Sequence, residues 1–140
     1  MPNLTARTIW TLVLNCLILF GAGHGIGPLV LANIYLFAGE KELSFSLTAS
    51  YDQSILTAAL FSLPGQLLLL VSLMAKGDKS KYLLRLAGIV LLWIGYFYLV
   101  HHFFTNGLAR FSFFTGLPFL ISSVMLFYCL LKSSDRQPVQ

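Results

Sequence analysis

Charged side chains are scarce in this sequence, and their scarcity excludes most classes of soluble protein. Asp, Glu, Lys and Arg make up 10% of the 140 residues, whereas hydrophobic residues make up 57%. Soluble domains have about 25% charged and about 45–50% apolar residues, so this chain has too few charges to cover a water-exposed surface. No charged residue lies near the middle of any long apolar stretch, which argues against ion or proton coupling.

Sequence signatures of catalysis and of cofactor binding are also missing. The two cysteines, Cys16 and Cys129, both lie within apolar stretches, which excludes a disulfide framework and a CxxC site. The three histidines form neither an HExxH nor an H-x-x-x-H spacing. No serine lies in a nucleophile elbow. The sequence therefore assigns no cofactor and leaves open whether the protein catalyses a reaction.

Four long apolar stretches fill most of the chain. A helix needs about 20 mainly apolar residues to cross the ~30 Å hydrocarbon core of a bilayer, and each stretch reaches this length. We therefore predict an all-α membrane protein, an antiparallel four-transmembrane-helix bundle that forms one integral membrane domain over residues 1–140. The predicted spans are residues 8–37, 54–74, 82–104 and 111–131.

The first stretch contains a glycine-rich run that ends in proline. A straight helix over residues 8–37 would be about 45 Å long, so we predict a kinked or broken first helix near Gly27. If the run is helical, it forms two GxxxG pairs that favour close contact with a second copy or with another membrane protein. These pairs are Gly21 with Gly25 and Gly23 with Gly27. An alternative interpretation is a secretory signal with a small-residue cleavage site at residues 21–23.

The basic residues orient the predicted bundle in the membrane. Seven of the nine lie on one side of it, namely Arg7, Lys76, Lys79, Lys81, Arg85, Lys132 and Arg136, and only Lys41 and Arg110 lie on the other. The positive-inside rule then predicts a plasma or inner membrane protein with a cytoplasmic N-terminus and C-terminus. This topology accounts for the net charge of +4, so we expect no nucleic-acid partner.

Polar side chains gather toward the predicted outer half of the bundle. His24 and His101 lie about 24 and 27 Å along their helices from the cytoplasmic ends, which places them at similar depth. Pro28 would free the carbonyl of His24 there, because its ring displaces the helical hydrogen bond. We predict a ligand-binding pocket at this end, with a rim formed by His24, Tyr51, Asp52, Tyr98, His101, His102, Asn106 and Arg110.

Two polar pairings are expected within this arrangement. Asn15 and Gln66 lie at similar depth on the first and second helices, which predicts an interhelical hydrogen bond that fixes packing. Asp52 and Arg110 lie at the same outer face and are expected to pair across the mouth of the pocket.

Two classes of function fit these observations. The first is a protein that acts by binding, either as an accessory subunit of a membrane assembly or as a receptor for a small or lipid-like ligand in the outer half of the bundle. The alternative is a membrane redox or metal-dependent enzyme in which His24 and His101, on different helices, bind a haem, a metal or a quinone.

Overall fold

A computed structural model describes residues 3–22, 25–38, 45–46, 48 and 50–134 of the chain. The described part is mostly helical, with one short two-stranded sheet. In chain order the elements are α1 (Leu4–Cys16), β1 (Leu19–Ala22), β2 (Gly25–Pro28), α2 (Leu29–Ala38), α3 (Tyr51–Met74), α4 (Asp78–Val100) and α5 (Gly107–Ser134).

Three of the helices are long and apolar enough to cross a membrane. Helices α3, α4 and α5 contain 24, 23 and 28 residues, and the shortest of them is about 34 Å long at the helical rise. They cover the second and fourth stretches that the sequence predicts as spans and most of the third, which α4 leaves at Val100. The structure is therefore consistent with an all-α membrane protein.

The first apolar stretch, which we predicted as one membrane span with a kinked or broken helix, forms two short helices with a β-hairpin between them. Helix α1 ends at Cys16 after 13 residues, and α2 has only 10 residues, so each is shorter than the ~30 Å bilayer core at 1.5 Å per residue. The strands β1 and β2 between them are antiparallel, with Leu19 opposite Pro28. The chain reverses direction here, and the described residues contain three helices of spanning length where four were expected.

The glycine-rich run explains why the helix stops. Each glycine costs a helix interior about 1 kcal/mol relative to alanine, and proline costs about 3 kcal/mol. The backbone dihedral φ of Gly25 is +155°, a value that residues with a Cβ atom rarely adopt. Pro28 immediately precedes α2. At a helix start the backbone N–H groups have no intrahelical partner, so the N–H that proline lacks costs no helical hydrogen bond.

The hairpin corrects the prediction of two helical GxxxG strips. Gly21 lies opposite Ile26 and Gly25 lies opposite Ala22 in the sheet, so these glycines do not share a helix face. Gly27 also lies in β2, and Gly23 is outside the described residues. Gly21 instead packs within the chain, because a Cβ at this position would come within 2.5 Å of Leu108 Cδ2 on α5.

Glycines do provide the close contact between α3 and α4. A Cβ at Gly65 would meet the carbonyl oxygen of Gly88 at 3.0 Å, and a Cβ at Gly95 would meet that of Ala58 at 2.8 Å. The two helices thus pack backbone to backbone along their length. Small residues allow such packing between membrane helices, where van der Waals contact replaces the hydrophobic effect as the source of association.

Small polar side chains connect the other helices through the interior of the bundle. The hydroxyls of Thr11 on α1 and Ser122 on α5 are 2.9 Å apart, and Trp93 Nε1 on α4 donates to Ser123 Oγ at 2.8 Å. Large apolar side chains such as Trp10 point outward. Buried polar side chains thus find partners inside the bundle while many large apolar side chains are exposed on its surface, as expected for a protein surrounded by lipid.

These pairings fix the directions of the helices. Helix α1 is antiparallel to α5, because Thr11 meets Ser122 while Leu19 meets Thr115. Helix α4 is antiparallel to both α3 and α5. The start of α1, the α3 to α4 connection and the end of α5 therefore share one end of the bundle. We call it the basic end, and its described basic residues are Arg7, Lys76, Lys79, Lys81, Arg85 and Lys132.

We expect Gly95→Ala to lower the melting temperature of the detergent-purified protein. A Cβ at Gly95 would lie 2.8 Å from the carbonyl oxygen of Ala58 on α3, and overpacking of this kind costs about 1–3 kcal/mol. Gly107→Ala is the matched control, because a Cβ there has nothing within 4 Å. Equal melting temperatures for the two variants would contradict the close packing of α3 on α4.

Candidate functional site

One group of the predicted site residues does come together, at the end of α4. His101 Nδ1 lies 2.8 Å from the carbonyl oxygen of Tyr98, and the rings of His101 and His102 have centroids 3.9 Å apart. The Tyr98 hydroxyl donates to the carbonyl of Phe45 at 3.1 Å, and its ring stacks on Phe61. These contacts form what we call the histidine cluster, consisting of Tyr98, His101 and His102.

Three other predicted residues stabilise the fold at this end. The hydroxyls of Tyr51 and Ser112 are 2.9 Å apart and connect α3 to α5. Arg110 donates from Nε and from Nη2 to carbonyl oxygens of the preceding connection, at 2.9 and 3.1 Å. Asn106 Oδ1 accepts from the backbone N–H of Leu108 at 2.8 Å and so caps the start of α5.

The remaining predicted residues are not joined to this group. Asp52 is exposed in the first turn of α3, where a negative charge is favourable to the helix dipole. Within the described residues no ion pair connects Asp52 to Arg110, so the expected pairing across the mouth is not formed. The pair does not form because the guanidinium of Arg110 donates to backbone carbonyls instead. His24 lies outside the described residues.

The described part of the chain contains no group of three or more His, Cys, Asp or Glu residues suited to a metal ion. His101 and His102 are consecutive residues at one helix end, and the expected partner on another segment, His24, is outside the described residues. The binding of a haem, a metal or a quinone between His24 and His101 therefore stays a prediction.

A second polar group lies deep in the bundle, where α1 ends and α2 begins. Gln66 Nε2 on α3 donates to Asn15 Oδ1 on α1 at 2.8 Å, and Asn33 Nδ2 on α2 donates to Gln66 Oε1 at 2.8 Å. Ser62 Oγ adds a second donor to Asn15 Oδ1 at 3.2 Å. All four side chains are buried. We call Asn15, Asn33, Ser62 and Gln66 the amide cluster.

The amide cluster confirms the hydrogen bond expected between Asn15 and Gln66. Sequence reasoning assigned that pair to packing and missed Asn33 and Ser62. A usable signal was present, because Asn33 is the only carboxamide in the apolar run that now forms α2. A lone amide in a membrane segment usually contacts a polar partner.

Two atoms of the amide cluster have no hydrogen-bond partner among the described residues. They are Asn15 Nδ2, a donor, and Asn33 Oδ1, an acceptor. Reversing all three carboxamides together would preserve the bonds through Gln66 and again leave one donor and one acceptor unmatched. A buried unmatched polar group costs about 1–3 kcal/mol. The cluster therefore presents one buried donor and one buried acceptor that its own protein partners do not satisfy.

We expect Tyr51→Phe to destabilise the protein because Tyr51 connects α3 to α5. The change removes a buried hydrogen bond and leaves the buried Ser112 hydroxyl without it, which costs about 1–3 kcal/mol. In a double-mutant cycle with Ser112→Ala, unfolding should give a coupling energy of at least about 0.5 kcal/mol. Additive effects of the two substitutions would show that the pair does not stabilise the fold.

Comparison of the chain with protein-family models, with curated proteins and with solved structures returned no match.

Proposed function

We propose that this protein is a membrane-embedded receptor that binds a small neutral ligand at the amide cluster. The observation that supports this proposal is the pair of unmatched groups, Asn15 Nδ2 and Asn33 Oδ1, buried on either side of Gln66. Polar groups inside a membrane bundle are energetically costly, and they commonly mark a site of binding or transport. The proposed ligand accepts a hydrogen bond from Asn15 Nδ2 and donates one to Asn33 Oδ1, as an alcohol or a carboxamide can.

The interruption of the first membrane segment supports a binding site at this position. Helix α2 begins where α1 has ended, and the N–H of Leu29 donates to the carbonyl of Ile18 at 2.7 Å. Asn15 and Asn33 approach Gln66 from the two separate half-helices. Discontinuous helices of this kind form substrate sites near the midplane of several transporter folds, because their ends supply polar backbone groups to a ligand.

The charge distribution favours a neutral ligand. The only described acidic residues are Asp52 and Asp78, near the two ends of the bundle, and the described basic residues also lie toward the ends. A charged ligand at the amide cluster would lack a nearby side chain of opposite charge, and an uncompensated charge is expensive in an apolar interior. Hydroxyl and carboxamide compounds are therefore the expected chemical class.

The histidine cluster is the second candidate position for the ligand. The close contacts of His101 with His102 and with the Tyr98 carbonyl support this second position. This position corresponds to the outer pocket that the sequence predicts. The binding experiment described next distinguishes the two positions, because Asn33→Leu alters only the amide cluster and His101→Ala alters only the histidine cluster.

The binding proposal is tested by thermal unfolding of the purified protein with a panel of small probes. The panel contains acetamide and butanol, which donate and accept, and acetone, which only accepts. A ligand that binds the folded state raises the melting temperature as its concentration rises. We expect acetamide or butanol to raise it in the wild type and in Thr11→Val, and not in Asn33→Leu.

Thr11→Val is the matched control, because it removes a different interhelical hydrogen bond on α1 without altering the amide cluster. Loss of the probe effect in His101→Ala, with retention in Asn33→Leu, would move the ligand to the histidine cluster. The receptor proposal fails if no probe shifts the wild type. A visible absorption band in the purified protein would instead support the redox alternative.

We also propose that the basic end faces the cytoplasm of a plasma or inner membrane. Basic residues concentrate on the cytoplasmic side of short connections, and six of the seven described basic residues lie at this end.

A topology measurement checks this orientation. Single cysteines introduced at Lys79 and at Asn106, in a background without Cys16 and Cys129, should differ in labelling by a membrane-impermeant thiol reagent. We expect Asn106→Cys to be labelled in intact cells and Lys79→Cys to be labelled only after lysis. Labelling of Lys79→Cys in intact cells would reverse the orientation.

A further inference from the structure

Arg85 is a buried cation without a counter-charge in the described part of the chain. It lies in the second turn of α4 and is only 5% exposed. Its Nε atom has no hydrogen-bond partner, and within the described residues Arg85 forms no ion pair. Arginine stays protonated at any physiological pH, so burial cannot be relieved by loss of its proton. A buried charge of this kind requires an anionic partner.

The surroundings of Arg85 are also positive. Lys81 lies one helical turn earlier on the same face of α4, and the basic end contains six described basic residues. Asp78 is the only described acidic residue at this end, and it pairs with Lys81 at 3.8 Å. The described residues therefore leave a net positive charge around Arg85.

The packing of α4 places Arg85 toward the basic end of the bundle. Gly88 and Arg85 are one turn apart on the same face of α4, and a Cβ at Gly88 would meet Leu69 Cδ2 at 2.9 Å. Arg85 thus lies one turn beyond a tight contact with α3, toward the basic end. Tyr82, three residues earlier, packs partly buried against the core. Arg85 is therefore a buried residue of the bundle near its basic end.

We propose that Arg85 is the centre of a binding site for a phosphate group, which we assign to the headgroup of an anionic phospholipid. A guanidinium binds two phosphate oxygens at once through parallel N–H bonds. Basic pockets between helices at the cytoplasmic side of membrane proteins bind anionic headgroups for this reason. The site is at the opposite end from the histidine cluster and does not depend on the proposed receptor function.

Three arms of one titration identify the source of the phosphate. The purified protein, in a neutral detergent, is titrated separately with phosphatidylglycerol, with phosphatidylcholine and with sodium phosphate, and the melting temperature is recorded. We expect phosphatidylglycerol to raise the melting temperature, while phosphatidylcholine at equal concentration does not. An equal rise with sodium phosphate would assign the site to soluble phosphate and overturn the lipid assignment.

Substitutions test whether Arg85 holds the phosphate. Arg85→Gln should weaken the apparent affinity for phosphatidylglycerol at least about tenfold, since it removes the charge-assisted bonds. Lys132→Gln is the matched control, because it removes an exposed charge from the same end and should change the affinity less than about threefold. Equal weakening in the two variants would show a diffuse charge effect and would overturn the site.

Two further variants keep the proposal falsifiable if Arg85→Gln does not fold. Arg85→Lys retains the charge and loses the paired geometry, so it should weaken phosphatidylglycerol binding while Lys132→Gln does not. Asp135→Asn tests whether a carboxylate of the chain, beyond the described residues, occupies Arg85. If phosphatidylglycerol stabilises only Asp135→Asn and not the wild type, the chain's own carboxylate is the partner and the lipid proposal is wrong.

Discussion

The need to satisfy every backbone hydrogen bond inside lipid determines the structure of this protein. In a bilayer core an unmatched N–H or C=O costs several kcal/mol, and the glycine-rich run between Phe20 and Leu29 is a poor helix. The antiparallel hairpin pairs β1 with β2. Thr115 on α5 provides further partners, because its hydroxyl contacts both the N–H and the carbonyl of Leu19. The backbone groups that an interrupted helix would leave unpaired are instead paired between the two strands.

This replacement determines where the polar interior forms. Because the hairpin reverses the chain, α2 lies against α3. Asn33 therefore contacts Gln66, the residue that also contacts Asn15. A continuous helix over residues 8–37 would have placed these asparagines about 27 Å apart at the helical rise. Each interhelical hydrogen bond contributes about 0.6–2 kcal/mol in a membrane. The amide cluster is thus a consequence of the hairpin, and it connects the two short helices to a long one.

Sequence alone predicted the parts of this fold that depend on hydrophobic length. The predicted spans 54–74, 82–104 and 111–131 match α3, α4 and α5 to within a few residues, because ~20 apolar residues have few other stable structures in lipid. The hairpin was not predicted, since glycines spaced by four residues fit a GxxxG helix surface equally well. At the candidate site, matching depths predicted the pair of Asn15 and Gln66. Asn33 could not be added without knowing that the chain turns back.

The outer residues show why residue type alone misassigns a polar group. Tyr51, Asn106 and Arg110 have the donors and acceptors that a ligand site needs, yet each has a partner in the protein's own hydroxyls or backbone. Helix ends and connections leave backbone groups without intrahelical partners, so polar side chains nearby are drawn to them first. In the amide cluster the situation is reversed. Asn15 lies in the last turn of α1, yet its side chain and that of Asn33 contact Gln66 and not the backbone. Their remaining donor and acceptor are the groups that the described protein atoms leave unsatisfied. A buried side chain with an unmatched polar atom is therefore stronger evidence for a ligand than a richer set of polar residues whose hydrogen bonds are already made within the protein.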